Sequence, residues 1–228
     1  MMIFSNLRPA IFRERQNRFL GLTEFDGKEV ECFIPNPGRL EELLRPDTRV
    51  YLKPAESRVR KTRFDLVLVE CQGNLVSVDS RVPNTVVEEA IEVGLIPEFF
   101  GYRVECREPT FDDSRFDFLL TNDQRRVFVE VKSCTLVVDG LALFPDAPTR
   151  RGTRHLLRLD DALSSGRSAI IFLIQRGDAN ALRPNWNADP VFAAAFEKAQ
   201  LKGVEAYAYD SRVTLEGISI NRRVPVKI

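Results

Sequence analysis

Histidine is nearly absent from this sequence: His155 is the one example in 228 residues. The four cysteines, Cys32, Cys71, Cys106 and Cys134, stand far apart and form no C-x-x-C pair. Without partners of that kind neither a zinc site nor a disulfide framework is expected. A reducing, cytoplasmic setting is the simplest expectation. No apolar run approaches the roughly 20 residues that a membrane helix needs. The opening MMIFSNLRPAIFRER turns charged too early for a secretory signal, so no membrane partner is expected. Excess charge of either sign is also lacking, because 33 Lys and Arg balance 33 Asp and Glu. Attraction to nucleic acid must therefore come from local clusters, acting over a Debye length of about 8 Å.

What is present divides the chain in two. The first part is strand-rich. NRFLGLTEFDGKEVECFIPN holds an Asp26-Gly27 turn between two strand-like runs, RVYLKP reads as a further strand, and FDLVLVECQGNLVSVD reads as a hairpin turning at Gln72-Gly73-Asn74. Between them GRLEELL predicts a short helix stopped by Pro46. Short strands with one short helix fit a small barrel, of which the five-stranded OB barrel is one form. After Asp79 the texture changes. Helical segments around PNTVVEEAIEVGL, TRHLLRLDDALSSG and DPVFAAAFEKAQLKG alternate with strand candidates YRVEC, RFDFLL, RRVFVEVKSCTLV, SAIIFLI, VEAYAYD and RVTLEG. Helices bracketing a mixed sheet make an α/β domain. The expected organisation is an OB-like barrel over residues 1–82 and an α/β domain over residues 83–228.

The run RRVFVEVKSCTL poses the functional question. Side chains alternate along a strand, so Val127, Val129 and Val131 share one face while Phe128, Glu130 and Lys132 share the other. Asp117 lies on the preceding strand candidate and is expected to point away from both Phe116 and Phe118. A hairpin between the two runs would bring Asp117 and Glu130 together, where two carboxylates repel unless a cation joins them. Mg²⁺ or Mn²⁺ takes such oxygen ligands, and a neighbouring lysine stabilises phosphoryl charge. The competing reading is a structural Glu130–Lys132 ion pair on a half-exposed strand. Asp65 in RFDLVLVE has a similar local setting to Asp117 but no Glu-x-Lys follows it, so a structural or surface role is expected there.

An acidic residue on one strand followed by Glu-x-Lys on the next resembles the PD-(D/E)xK nuclease superfamily, with Phe116 where many members carry proline. Nearly the whole chain resembles the sugar fermentation stimulation protein A family through CFIPNPGRLEELL, RVPNTVVEEAIEVG, SRFDFLL, VFVEVKSCTL and LFPDAPTRRGTRHLLRL. Pro37 and Thr153 depart from the family's usual text. The resemblance implies an OB-like domain followed by a nuclease-like domain, DNA binding, and a link to sugar metabolism, notably maltose. It implies Asp117, Glu130 and the Val131 carbonyl as metal ligands, Lys132 as catalytic lysine, and Glu89 as a further acidic ligand from the opening helix. Glu89 also reads as a solvated helix-face charge. His155 is a candidate site residue, with a surface position as the alternative. A DNA-binding regulator without catalysis is the rival to a nuclease.

Three arginine clusters are candidate nucleic-acid contacts, since the guanidinium fork pairs with phosphate oxygens. Arg13, Arg15 and Arg18 stand with Arg8 in the first. Arg58, Arg60, Lys61 and Arg63 form the second. Arg150, Arg151 and Arg154 stand with Arg158 in the third. Phe12, Phe19 and Phe33 are candidate stacking platforms for bases, with core packing as their alternative role.

Overall fold

A computed structural model describes residues 1–55, 60–122 and 124–228. Arg58, from the second basic cluster, lies outside them. The barrel strands are β1 (Arg8–Asn17), β2 (Leu20–Phe25), β3 (Lys28–Phe33), β4 (Arg49–Pro54), β5 (Phe64–Cys71) and β6 (Asn74–Ser77). The Asp26-Gly27 and Gln72-Gly73 turns both place two residues at positive φ, the geometry that matches the twist of a tight hairpin. Strands β1 to β5 close on themselves. β1 pairs with β2 and β4, β2 with β3, and β4 with β5, all antiparallel. A short parallel contact, Cys32 opposite Phe64, joins β3 to β5. This is the expected OB-like barrel, with β6 added outside β5.

Phe12, Ile34, Leu52 and Leu66 fill the barrel, together with Leu40 and Leu43. The helix predicted over residues 38–44 is instead a turn. Leu40 sits at φ +53°, so only a single turn forms, with the amides of Leu43 and Leu44 both donating to the Leu40 carbonyl. Burying three leucines across the barrel mouth outweighs a helix that Pro46 would cut short.

The second domain contains α1 (Val82–Glu92), β7 (Arg103–Arg107), β8 (Phe118–Thr121), β9 (Arg126–Cys134), β10 (Leu141–Phe144), α2 (Arg150–Ala162), β11 (Arg167–Ile174), β12 (Ala181–Pro184), α3 (Pro190–Leu201), β13 (Glu205–Val213) and β14 (Gly217–Val224). Its main sheet runs Met2–Ile3, β14, β13, β11, β9, β8, β7. The barrel strands begin at Arg8, and Met2 and Ile3 before them pair into the second domain's sheet. β9, β11 and β13 are parallel neighbours, as their apolar, doubly covered sequences require. Of the strand predicted at RVTLEG, Arg212 and Val213 end β13 and Gly217 opens β14, with a turn over residues 214–216 between them.

Alternation along β9 and β11 sorts the side chains between two layers. Val127, Val129, Val131, Ile171 and Leu173 pack with α1 and with Tyr51, Val67 and Leu68 of the barrel. Ile170, Phe172 and Ile174 pack with α2 and α3. Phe144, Phe172, Phe192 and Phe196 meet there, three of their ring pairs being edge-to-face at centroid distances of 5.2–5.6 Å, each worth about 1 kcal/mol beyond area burial.

Asp189 ties two helices together. Its Oδ1 accepts from the Phe192 amide at 2.9 Å and caps α3. Its Oδ2 accepts from the Thr149 amide at 2.7 Å, just before α2. Asp189→Ala is expected to cost about 2 kcal/mol, because it removes a cap and strands a second N–H. A thermal midpoint unchanged from the parent chain would refute that role.

Gln175, fully buried, rivets barrel to sheet. Its amide donates to the Cys134 carbonyl at 2.8 Å and its own carbonyl accepts from the Ser77 amide at 2.9 Å. Its side chain accepts from the Ser77 hydroxyl at 3.0 Å and donates to the Ser133 hydroxyl at 2.9 Å. Ser133 follows Lys132 directly, so the barrel is fastened at the strand that carries the charges.

Candidate active site

The register of β8 on β9 sets Phe118 opposite Val129, and the Asp117 amide donates to the Val129 carbonyl at 3.1 Å. The chain then bends away from the sheet at Asp117. Phe118 enters the α1 layer and Phe116 the α2–α3 layer, so the expectation that both phenylalanines share a face is corrected. The bend removes the neighbouring strand from the next stretch of β9. In its place the Asp117 side chain satisfies the backbone, Oδ2 accepting from the Val131 amide at 2.7 Å. An extended residue turns its N–H and C=O to the same side of the strand. The Val131 carbonyl therefore faces the gap that Asp117 borders.

Asp117 Oδ1 accepts from Asn84 Nδ2 at 2.7 Å. Burial, with the nearby Glu130 charge adding to it, raises the Asp117 carboxyl above its usual range. Glu130 is 3% exposed. Burial alone would raise it as well, but Lys132 and His155 outweigh that and hold it below the usual carboxylate range. Lys132 Nζ donates to Glu130 Oε1 at 2.6 Å. His155 Nδ1 meets the same oxygen, and Arg151 Nε donates to His155 Nε2 at 3.3 Å. An acceptor at Nε2 leaves the proton on Nδ1 to donate to Glu130. The other carboxylate oxygen, Glu130 Oε2, is buried with no hydrogen-bond partner among the described residues.

The structure thus brings Asp117, Glu130, the Val131 carbonyl, Lys132 and His155 together. It does not bring Glu89. That side chain pairs with the Met1 amino group at 2.8 Å. Asn84 is the α1 residue that reaches the site, and five residues along a helix turn the side chain by about 140°. Asn84 was missed at the sequence level. Its one signal was an asparagine within a helix, where it is a poor former. Asp65 is structural, clamped by Arg60 at 2.7 Å and Arg81 at 2.8 Å.

Beside Lys132 opens a cleft of about 270 Å³, lined from the barrel by Arg18, Asn36 and Gly38 and from the second domain by Ser133, Asp146 and Arg151. Asn36 holds this margin, donating to the Val78 carbonyl at 2.8 Å and accepting from the Gly38 amide at 2.7 Å. Asp146 accepts from the Arg39 amide at 2.8 Å. A side chain at Gly38 would run into the Asp146 carboxylate. PNPGR, VKSCTL and FPDAPTRRGTRH, distant in sequence, meet along this wall.

The arginines divide. Arg13 is held by Glu24 and Asp47. Arg15 donates to the carbonyls of Arg18 and Gly38, at 2.6 and 2.7 Å, and shapes the loop. Both have their charge or donors engaged within the barrel. Arg18 borders the cleft. Arg150, Arg151 and Arg154 are exposed on the first turns of α2, whereas Arg158 pairs with Asp113 and Asp161.

Comparison with known proteins covers both domains. Residues 14–78 match the family model described as the SfsA N-terminal OB domain, and residues 81–217 match the sugar fermentation stimulation protein RE domain. The sugar fermentation stimulation protein homolog of Natranaerobius thermophilus is 45% identical over 220 residues, 94% of this chain and 92% of the relative. That of Moorella thermoacetica is 44% identical over 227 residues, 98% of each. The structure of Pyrococcus furiosus SfsA in complex with Ca²⁺ aligns with a TM-score of 0.93 at 33% identity, covering 100% of this chain and 98% of that one. No helix among the described residues is long and apolar enough to cross a membrane.

Proposed function

This chain belongs to the sugar fermentation stimulation protein family, and from that premise we propose that it is a DNA-binding protein with a divalent-metal-dependent phosphodiester-hydrolysing site at Asp117, Glu130 and Lys132. The observation that carries the reading is the orphaned Glu130 Oε2, a buried acceptor beside a second carboxylate and a free-facing carbonyl. Such an atom costs about 1–3 kcal/mol left alone, and a hard cation would satisfy it. Asp117, Glu130 and the Val131 carbonyl would hold Mg²⁺ or Mn²⁺. The oxygen donor set suits such ions, and the Ca²⁺ complex of the Pyrococcus furiosus relative supports a divalent cation here.

When bound, the metal would polarise the phosphoryl group and activate water. Asn84 and the Val131 amide fix the orientation of Asp117. Lys132, restrained by Glu130, presents a positive charge to the cleft where a phosphate would gain charge. His155 is a positioning residue, holding Glu130 while Arg151 holds its other nitrogen. Arg150, Arg151 and Arg154 would meet flanking phosphates.

One observation favours the second reading, a regulator of sugar metabolism that binds DNA without cutting it. Glu130 Oε1 is already shared by Lys132 and His155, which leaves that oxygen less free for a cation. Incubation with labelled single- and double-stranded DNA and RNA separates the readings. Cleavage is expected with Mn²⁺ or Mg²⁺ and none in EDTA. Salt-sensitive binding to DNA with every substrate left intact in metal would overturn the nuclease and leave the regulator.

A further inference from the structure

We propose that the Arg18–Phe19 turn of the barrel is a stacking platform for single-stranded DNA that leads the strand into the cleft at Lys132. The proposal rests on the reading of that cleft as a nucleic-acid site and adds the form of the substrate.

Tight hairpin turns ordinarily carry Gly, Asn or Asp. The turn between β1 and β2 carries an arginine and a phenylalanine instead. Phe19 is 42% exposed, yet its backbone is pinned on both sides. Its amide donates to Asn17 Oδ1 at 2.9 Å, and its carbonyl accepts from the Ile34 amide at 2.9 Å. The ring is thus held in solvent by a rigid turn. Phe12 is buried in the barrel core, so the three candidate phenylalanines separate.

Phe33 stacks on Phe19 at 5.9 Å with planes 23° apart. The Arg60 guanidinium lies 4.8 Å from the Phe33 centroid, and that of Arg18 lies 5.5 Å from the Phe19 centroid. The result is a ladder of cation, ring, ring, cation on the barrel surface. A base has a π-face for the ring and a phosphate for the arginine, which is the chemistry of single-strand platforms. Arg18 donates through Nε to the Pro37 carbonyl at 3.2 Å and has no carboxylate partner among the described residues. It can yield the outer face of Phe19 to a base and turn to the adjoining phosphate. Arg18 also borders the cleft with Lys132 and Arg151, so the ladder and the charged strand form one track. The cleft of about 270 Å³ lies at the Lys132 end of that track.

The test is fluorescence anisotropy on the full chain carrying Lys132→Met, in EDTA, with a labelled oligothymidylate of about 12 nucleotides and a duplex of the same length. Phe19→Ala is expected to weaken strand binding roughly 5- to 100-fold while leaving duplex binding in place. Phe19→Trp is expected to retain strand binding. Arg18→Ala is expected to lower the salt slope by about 0.7. An unchanged thermal midpoint checks the fold of each variant. Strand binding by Phe19→Ala equal to that of the parent, or an equal loss on strand and duplex, would overturn the proposal. Metal and Lys132 are both absent from this measurement, so failure of the nuclease reading would show in cleavage assays and leave this result standing.

Discussion

Lys132→Met is expected to lower metal-dependent cleavage by roughly a thousandfold, the scale of losing one group that stabilises transition-state charge. Methionine keeps the length of the stem, which is packed in a side chain only 12% exposed, and removes the ammonium. His155 still contacts Glu130 Oε1, so the buried carboxylate keeps a partner and the fold is expected to survive. Metal affinity should hold or rise, because a cation near the ligands is lost. The result that refutes the assignment is full cleavage by a folded Lys132→Met chain. A loss of DNA binding equal to the loss of cleavage would also refute it, by making Lys132 a phosphate anchor.

Glu130→Ala is expected to act on stability as well as chemistry. The substitution leaves the Lys132 ammonium and the His155 Nδ1 proton facing a cavity with no acceptor. Removing one member of a buried charged cluster costs about 3–5 kcal/mol. Glu130→Gln keeps an acceptor oxygen for both partners and should lose less stability, while still losing the negative charge that a divalent ion needs. Urea midpoints and calorimetric titration with Mn²⁺ separate the two effects. Equal stability of Glu130→Ala and the parent chain would show that the cluster contributes nothing to the fold. The pH dependence carries a sign. Because the Glu130 carboxyl is held below its usual value, its stabilisation is full above about pH 4.3 and is lost as the pH falls through the lowered folded value. Asp117, raised instead, opposes it, since its contribution declines as the pH rises from the ordinary carboxylate range through the raised value.

Period-two alternation was enough to place Glu130 and Lys132 on one face of β9, and the spacing of RFDFLL from RRVFVEVK was enough to bring Asp117 beside them. The bend at Asp117 was not readable, because Phe116 and Phe118 are both apolar and two opposed cores accept them equally. Glu89 was implied by the resemblance, which looks for an acidic residue on this helix, and Asn84 is not acidic. The helix turns Asn84 toward the carboxylate, and an amide can both donate to Asp117 and leave its charge intact. Arg13 and Arg15 looked basic in a local window, but Glu24 and Asp47 neutralise the first from distant positions and loop carbonyls take the donors of the second. His155 stood as an isolated residue until folding laid α2 across β9. The misses at Arg13 and His155 concern partners far away in sequence, which local pattern does not record.

The pairing of Met2–Ile3 with β14 has a consequence for the order of assembly. Met2 lies opposite Ile218, so one edge of the sheet joins residues separated by almost the whole distance from residue 1 to residue 228. During synthesis the barrel strands are all made long before residues 217 and 218 exist. The barrel can therefore close early from neighbouring hairpins, while Met2 and Ile3 must wait beside it for a partner made much later. In kinetic terms the barrel is an insertion into the sheet of the second domain, and this edge pairing is a slow, non-local contact.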